Sequence, residues 1–288
     1  MRAALVCQPS FAAAIGSRGG SDDVNHADRV AMGLQAVRAQ APLVHNITNF
    51  VSMDLVANVL LALGASPAMV HAEEEVADFQ EVASALVINI GTLQPAWVRS
   101  MEQASARAAE LRKPWVLDPV GVGATPYRTR AAADLARGRP TVIRGNGSEI
   151  LALAGASSGP TRGVDTSHAA EDALGAAREL ARVLGAVVAV TGAVDHVTDG
   201  ERVVRVEGGH PMMTRVTALG CAASAVIGAF LAVEPDPLHA AAAGLAVVAL
   251  AGERAAARSP GPGSLRTNLI DELFTLDEAT LRAGIRIR

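Results

Sequence analysis

Hydrophobic and polar positions follow two alternating patterns along this chain. Continuous apolar runs of strand length, such as ALVINI at 85–90 and AVVAVTG at 186–192, stand between segments whose apolar residues have helical spacing. Continuous runs are typical of strands that are buried on both faces, as in parallel sheets. The pattern therefore predicts an α/β fold with a mostly parallel central sheet flanked by helices.

Capping and turn residues mark the ends of the predicted elements. Gly64 and Gly185 follow helical segments, where a left-handed residue commonly ends a helix. The Asp-Gly pair at 199–200 lies between β-branched segments and predicts a hairpin that interrupts the alternation. The predicted strands are 43–47, 85–90, 115–118, 141–145 and 186–192, and the predicted helices are 29–39, 52–63, 95–112, 148–154, 167–184, 220–232 and 237–257.

Domain organisation follows from the short connections between these elements. No linker rich in proline, glycine or serine divides the chain, so we expect residues 41–288 to form a single domain. Residues 1–40 are predicted to be an N-terminal extension that is partly disordered. Because Cys7 and Cys221 are the only cysteines, we expect no disulfide framework and a cytoplasmic location.

Charge and composition exclude several classes of partner. The chain has 288 residues, half of them apolar, and a net charge of −4, so no basic field attracts nucleic acid or an anionic membrane. Its longest apolar runs are interrupted before they reach the ~18 residues expected of a membrane-spanning helix. Pro114 follows the single lysine, Lys113, so the lysine signature of a P-loop nucleotide site is absent.

Polar residues recur where the predicted strands end. Asp118 closes the strand 115–118, Arg144 and Glu149 surround the end of the next strand, and Thr191 closes the one after. Because open parallel sheets bind ligands at the carboxyl ends of their strands, this pattern indicates a phosphate-handling site. Asp118 and Glu149 are candidate Mg²⁺ ligands, and Arg144 and Thr191 suit ATP phosphates. Helix capping and ordinary strand ends are the structural alternatives.

The stretch VTALGCAASAV at 216–226 places a cysteine at the predicted start of a helix. Unpaired N–H groups and the helix dipole at such a position stabilise an anion and are expected to lower the pKa of the Cys221 thiol. The alternative is that Cys221 is a small buried apolar residue.

Taken together, the sequence motifs resemble one known family. The matching segments are HNITN (45–49), LLALGASPAMVHAEEEV (60–76), NIGTL (89–93), LDPVGVGATPYR (117–128), IRGNGSEI (143–150), GVD (163–165), VTGAVDHVTDG (190–200) and MTRVTALGC (213–221). They resemble the hydroxyethylthiazole kinase family in unbroken order over roughly residues 42–275. This resemblance implies a ribokinase-like three-layer sandwich and ATP-dependent phosphorylation of the primary hydroxyl of 4-methyl-5-(2-hydroxyethyl)thiazole, in thiamine biosynthesis and salvage.

The resemblance also implies roles for individual residues, with Mg²⁺ as cofactor, hydroxyethylthiazole and ATP as small-molecule partners, and a homotrimer as the assembly. The implied roles are catalysis at Cys221, an anion hole at Gly220 and Cys221, substrate binding at Met69, Ala218 and Asn49, ATP binding at Arg144 and Thr191, and metal binding at Asp118 and Glu149.

One departure from the family pattern concerns the residues before Cys221. The family often has Gly-Thr-Gly-Cys or Gly-Ala-Gly-Cys here, whereas this chain has Ala218-Leu219-Gly220-Cys221. Glycine would permit a positive φ and close backbone approach. The methyl group of Ala218 is therefore expected to reshape the anion hole and the substrate contact beside it.

Three rival functions remain open from the residues alone. One is a related ribokinase-like kinase acting on a pyrimidine or pyridoxal-type alcohol. Another is a cysteine hydrolase in which His210 serves as the base for Cys221, which requires hydrogen-bond contact between the two side chains. A third is a nucleotide-binding protein without catalytic activity.

Overall fold

The computed structural model describes residues 26–158 and 169–288. The described strands form one nine-stranded sheet. These strands are β1 (Leu43–Ile47), β2 (Ser66–Ala68), β3 (Ala85–Asn89), β4 (Trp115–Asp118), β5 (Val142–Asn146), β6 (Val187–Thr191), β7 (Val194–Thr198), β8 (Val203–Glu207) and β9 (Arg286–Ile287). The five strands predicted from apolar runs are present, each within about two residues of its expected bounds.

Helices fill the connections between the strands. They are α1 (His26–Gln40), α2 (Met53–Leu63), α3 (Val76–Val82), α4 (Pro95–Glu110), α5 (Pro126–Arg137), α6 (Gly147–Ser158), α7 (Ala169–Leu184), α8 (Leu219–Leu231), α9 (Pro237–Ala257), α10 (Pro262–Thr275) and α11 (Glu278–Gly284). Gly64 ends α2 in the left-handed conformation, with φ 102°, as the sequence predicts. A short 3₁₀ helix, Pro211–Arg215, precedes α8.

The order of strands across the sheet is β2-β1-β3-β4-β5-β6-β7-β8-β9. Neighbours from β2 to β6 pair in parallel, and β7, β8 and β9 add to that sheet in antiparallel fashion. The predicted hairpin at 199–200 is therefore the β7–β8 connection. Since the carboxyl ends of β1 and β3–β6 meet at one edge, the residues that follow them are brought together there.

Two hydrophobic layers cover the sheet, one on each face. Side chains alternate along each strand, so Val116 packs with α1, α2, α8, α9 and α10, whereas Trp115 and Leu117 pack with α4, α5, α6 and α7. The result is the three-layer α/β sandwich with a mostly parallel sheet that the sequence predicts.

The N-terminal boundary differs from the prediction. Helix α1 was expected to belong to an extension ending at residue 40, but its side chains Val30, Leu34 and Val37 are buried in the core beside α8 and α9. The packed domain therefore includes α1, because this helix covers apolar surface that would otherwise face water. Residues 1–25, with Cys7, and the GVD motif at 163–165 lie outside the described residues.

Helix α9 has the length and hydropathy of a membrane-spanning segment, alone among the helices of the described ranges. Its most apolar window has a mean hydropathy of 1.4, yet 83% of that window is buried inside the fold. A helix that is apolar all round and covered by protein belongs to a core, so the composition of α9 is explained by its packing.

Candidate active site

Four polar side chains lie on one face of the sheet at its carboxyl edge. Asn89, Asp118, Arg144 and Thr191 each stand two residues after an apolar residue that packs under α8 and α9, namely Val87, Val116, Val142 and Ala189. Residues two apart on a strand share a face, so these polar groups point toward the layer that contains α8. Arg144 lies within β5 rather than after it, because the strand continues to Asn146.

Asp118 is fully buried, and its two carboxylate oxygens differ in their hydrogen bonds. Its Oδ2 atom accepts hydrogen bonds from Asn89 Nδ2 and Ser224 Oγ, each at 2.8 Å. The guanidinium of Arg144 approaches the same oxygen at 3.9 Å. Its Oδ1 atom has no hydrogen-bond partner among the described residues. One carboxylate oxygen is therefore fixed in place and the other is left available.

Burial raises the pKa of Asp118 to about 6, since a charged carboxylate loses its hydration there. The positive charge of Arg144 and the hydrogen bond from Ser224 act in the opposite direction. The charge on Glu149 adds to the increase in the pKa of Asp118.

A chain of amides connects Asp118 to Cys221. Asn49 Nδ2 donates to Asn89 Oδ1 at 2.8 Å and to Cys221 Sγ at 3.4 Å. Since Asn89 donates in turn to Asp118, the thiol and the carboxylate belong to one buried hydrogen-bonded group. We call Asn49, Asn89, Asp118, Cys221 and Ser224 the Asp118 network.

The acidity of Cys221 differs from the expectation for a helix start. Burial raises the pKa of the thiol, and the negative charge of Asp118 raises it further. The hydrogen bond from Asn49 lowers it but does not offset these effects. The predicted decrease is therefore wrong, because desolvation and a neighbouring carboxylate outweigh the helix N-terminus. Cys221 is a neutral thiol at neutral pH.

Arg144, Thr191 and Gly220 form a second group beside this network. Arg144 Nη2 donates to Thr191 Oγ1 at 2.8 Å, and only 14% of the arginine side chain is exposed. A Cβ atom at position 220 would lie 2.6 Å from Arg144 Nη1, so the guanidinium can hold this position only because residue 220 is a glycine. The first N–H groups of α8 have no partner within the helix and lie next to this guanidinium.

A cavity of about 720 Å³ opens beside Arg144, Thr191 and Gly220. This volume is within the range of small-molecule and cofactor sites. Its far side is formed mainly by the β8–α8 segment and by α9, with Val206, Val216 and Val248 among the apolar lining residues. The cavity thus offers donors for phosphate at one end and apolar walls at the other. We call Arg144, Thr191 and Gly220 with these walls the Arg144 cavity.

Glu149 has a local structural role in addition to its charge. Asn146 Oδ1 accepts from the Glu149 backbone N–H, and Glu149 Oε2 accepts from the Asn146 backbone N–H, both at 2.9 Å, which is a capping box for α6. Glu149 Oε1 accepts from Gly121 N–H at 2.9 Å and so holds the glycine-rich loop after β4. The capping expected as an alternative for these residues is therefore present.

Ala218 occupies a backbone conformation that favours glycine. Its φ is 66° and it precedes α8. The departure from the family pattern thus falls on a left-handed residue, where an L-amino acid with a Cβ atom is disfavoured. Ala218 lines the Arg144 cavity, and Met69, half-buried after β2, packs against the same hydrophobic core as Ala218 and Cys221.

Two residues of the site were not predicted from the sequence. Asn89 closes β3 as Asp118 closes β4, and the two stand opposite each other in the sheet register. Ser224 follows Cys221 by three residues on α8 and is fully buried. A polar residue at the end of an apolar strand, and a serine in a helix of small apolar residues, were the available signals.

The hydrolase alternative finds no support in the hydrogen bonds of the described residues. His210 Nδ1 accepts from the Met212 backbone N–H, whereas Asn49 is the side chain at hydrogen-bond distance from Cys221 Sγ. A nucleophilic cysteine requires a base in contact with it, and His210 does not fill that role in this arrangement.

Comparisons of the sequence with known proteins all indicate the same family. Residues 34–279 match the model of the hydroxyethylthiazole kinase family. A hydroxyethylthiazole kinase from Granulibacter bethesdensis is 55% identical over 259 residues, which are 90% of this chain and 94% of the relative. One from Arabidopsis thaliana is 52% identical over 255 residues, covering 88% of this chain and 92% of the relative.

Solved structures extend the comparison to the fold. The hydroxyethylthiazole kinase from Pyrococcus horikoshii OT3 superposes with a TM-score of 0.84 at 45% identity, covering 90% of this chain and 98% of the other. Pyridoxal kinase from Staphylococcus aureus, in complex with AMP-PCP and pyridoxal, has a TM-score of 0.57 at 18% identity over 74% of this chain and 88% of the other, a likeness of fold alone. The chain belongs to the hydroxyethylthiazole kinase family.

Proposed function

We propose that this protein transfers the γ-phosphoryl group of ATP to the primary hydroxyl of 4-methyl-5-(2-hydroxyethyl)thiazole, in thiamine biosynthesis and salvage. Membership of the family supports this activity over the pyridoxal-type alternative, with which only the fold is shared. The observation that carries the proposal is that the Asp118 network and the Arg144 cavity meet at the N-terminus of α8, where Arg144 approaches Asp118 at 3.9 Å.

The chemistry required of such a site is positioning and charge neutralisation, since negative charge is spread over the phosphoryl oxygens in the transition state. Arg144 and Thr191 are suited to bind the phosphates of ATP from the cavity side. The backbone N–H groups of Gly220 and Cys221, at the positive end of the α8 dipole, are suited to stabilise the transferred group. The alcohol would approach from the side of Asn49 and Met69.

Mg²⁺ is the metal that we propose for this site. The fit rests on Asp118, whose buried Oδ1 atom has no partner among the described residues and is therefore free for a hard cation or its bound water. Glu149 supplies a second negative charge nearby, although backbone N–H groups already occupy both of its oxygens. Bound Mg²⁺ would neutralise the charge that develops on the phosphates.

Cys221 has a modest role in this proposal. A neutral thiol is a poor base, so its main contribution would be to occupy the small space beside the anion hole and accept the hydrogen bond from Asn49. Its backbone N–H would remain part of the anion hole whatever the side chain is.

The direct test is to measure ADP release with Mg²⁺-ATP in the presence and absence of hydroxyethylthiazole. The proposal predicts release that depends on the alcohol and yields its phosphate ester. A parallel assay with pyridoxal and with a hydroxymethylpyrimidine compares the alternative substrates. Equal or faster turnover of either would contradict the assignment of the substrate, and ATP binding without turnover of any alcohol would favour a non-catalytic protein.

We also propose a cytoplasmic homotrimer. Phe50 and Val51, which follow Asn49, are large apolar side chains with 64% and 60% exposure, a surface that a neighbouring subunit can cover. Light scattering after size-exclusion chromatography should give three times the mass of the chain, and a monomer mass would contradict this assembly. Cell fractionation tests the location.

A further inference from the structure

The carboxylate of Asp118 is held by two hydrogen-bond donors on the same oxygen. Asn89 Nδ2 and Ser224 Oγ both donate to Oδ2, while Oδ1 is buried without a partner among residues 26–158 and 169–288. A carboxylate fixed through one oxygen cannot rotate freely about its Cβ–Cγ bond. The free oxygen therefore keeps one direction before any ligand binds.

A backbone N–H group sets the orientation of Asn89, the hydrogen-bond donor from β3. The Gly91 N–H donates to Asn89 Oδ1 at 2.9 Å, and an N–H group cannot accept a hydrogen bond. The amide oxygen of Asn89 must therefore face Gly91, and its NH₂ group must face Asp118. The register of the two parallel strands places the residues opposite each other, so no loop movement changes this distance.

Core packing alone does not explain why residue 224, the hydrogen-bond donor from α8, is a serine. Ser224 is fully buried in a run of small residues that includes Ala222, Ala223 and Ala225, and an alanine at position 224 would lack only the hydroxyl oxygen. Burying a hydroxyl costs free energy unless it is hydrogen bonded. Its bond to Asp118, at 2.8 Å, is shorter than its 3.3 Å contact with the carbonyl of Gly220. Ser224 thus connects the helix that supplies the anion hole to the carboxylate beneath it.

We propose that Ser224 and Asn89 are positioning residues for Asp118. They direct its Oδ1 atom toward the bound phosphates and their metal, and Ser224 sets the separation between this carboxylate and the N-terminus of α8. This inference rests on the function proposed above, in which Asp118 faces the phosphates.

The first test is a double-mutant cycle on the kinase reaction. Ser224→Ala and Asn89→Ala should each lower kcat by about 10-fold to 100-fold, the usual effect of removing the partner of a ligand residue. In an Asp118→Asn background the same changes should cost less than about 2-fold, because the group they position is already altered. Equal losses in both backgrounds would overturn the proposal.

A matched serine separates positioning from general stability. Ser105 is also buried on a helix, α4, and its Oγ donates to a backbone carbonyl, that of Glu102. Ser105→Ala should leave kcat unchanged, while both serine variants are compared by urea unfolding. A kcat loss in Ser105→Ala as large as in Ser224→Ala would also contradict a positioning role. Ser224→Ala removes only the hydroxyl oxygen and is expected to fold like the wild type. The test therefore remains valid even if Asn89→Ala folds poorly.

The second test does not depend on the identity of the alcohol. The affinity for AMP-PCP, a non-hydrolysable ATP analogue, is measured by calorimetry with and without Mg²⁺. Ser224→Ala and Asn89→Ala should reduce the gain in affinity that Mg²⁺ gives by about 10-fold, with metal-free affinity unchanged. An undiminished gain in both variants would overturn the proposal. Failure of the wild type to phosphorylate hydroxyethylthiazole would reject the proposed function alone, since this binding result still decides the positioning role.

Discussion

The Asp118 network and the Arg144 cavity meet at the N-terminus of α8 but are built differently. The network consists of short side chains from two strands, a loop and a helix, all of them buried except the half-buried Cys221. These side chains bond to one another and to neighbouring backbone groups, and Asp118 Oδ1 is the buried polar atom of the network that has no partner among the described residues. The cavity contains one long cation, Arg144, whose Nε atom has no partner among the described residues, and apolar walls.

This difference separates two tasks of a phosphoryl-transfer site. A group that must be fixed before the substrate arrives is held by protein partners, as Asp118 is through its Oδ2 atom by Asn89 and Ser224. A group that meets the ligand retains unused hydrogen-bonding capacity, as Arg144 does. Substitutions in the network should therefore affect kcat and the gain in nucleotide affinity that Mg²⁺ gives, whereas substitutions in the cavity should weaken nucleotide binding with and without Mg²⁺.

The largest effect is expected for Asp118→Asn. This change keeps the shape of the side chain but removes the charge that we propose to act on the phosphates and their metal, so kcat should fall by about 10³-fold, the upper range for removing one electrostatic contribution in an active site. The KM for ATP should change less than kcat. A variant with wild-type kcat would exclude Asp118 from the reaction and remove the distinction between the two regions.

The same variant should be more stable than the wild type at high pH. The pKa of Asp118, about 6 in the folded protein, is above its usual value near 4 in an unfolded chain. The folded state therefore binds more protons between about pH 4 and 6, and wild-type stability decreases as the pH rises through this window. Urea unfolding should give a stability advantage for Asp118→Asn above pH 6 that disappears below about pH 4. An advantage independent of pH would contradict this.

Gly220→Ala should disrupt the packing of Arg144 against the start of α8. The added Cβ would lie 2.6 Å from Arg144 Nη1 and would displace the guanidinium from Thr191. We expect kcat/KM for ATP to fall by about 10²-fold, with a clear increase in KM. Gly175→Ala on α7 is the control, because a Cβ there meets nothing within 4 Å. Equal effects of the two variants would argue against the role of Gly220.

Cys221→Ala should have a smaller effect. The thiol is neutral and its backbone N–H remains in the variant, so kcat should fall by about 10-fold, at or below the lower end of the range for general acid–base catalysis. Initial rates of ADP release measure this. A loss above about 10³-fold would show that the sulfur takes a proton or bonds covalently, and the account of Cys221 would be wrong.

The smallest effect is expected for Ala218→Gly. Glycine removes the steric cost of the left-handed conformation at position 218, about 1 kcal/mol, but it also gives the unfolded chain more conformational freedom. Because the two effects oppose each other, the free energy of unfolding measured with urea should change by less than about 1 kcal/mol. If the methyl group narrows the anion hole, kcat/KM should rise. An unchanged kcat/KM would show that the departure from the family pattern is accommodated without obstruction.

Much of the fold could be predicted because the parallel strands are continuous apolar runs. The strands 43–47 and 115–118 and the helix 237–257 were predicted with the bounds that the structure has. Helices α3, α5, α10 and α11 and strands β2 and β9 were not among the predicted elements. Strands β2 and β9 have three and two residues, which is too short to show an apolar run. Helix α5 is rich in arginine and alanine, so its apolar residues do not show a clear helical period.

The site could be predicted only in part. Asp118, Arg144 and Thr191 were identified as strand-end residues, and their common face follows from the two-residue alternation of a strand. Ser224 and Asn89 were missed because their importance depends on which layer and which neighbouring strand they meet. The pKa of Cys221 was predicted in the wrong direction because burial, which the sequence does not display, outweighs the helix terminus.

The most direct measurement is a crystal structure with Mg²⁺, AMP-PCP and hydroxyethylthiazole bound. The account predicts the terminal phosphate between Arg144 and the N–H groups of Gly220 and Cys221, with Asp118 Oδ1 facing the metal. The thiazole hydroxyl should point at that phosphate. Phosphates bound away from the start of α8, with Asp118 Oδ1 facing neither metal nor phosphate, would contradict the account.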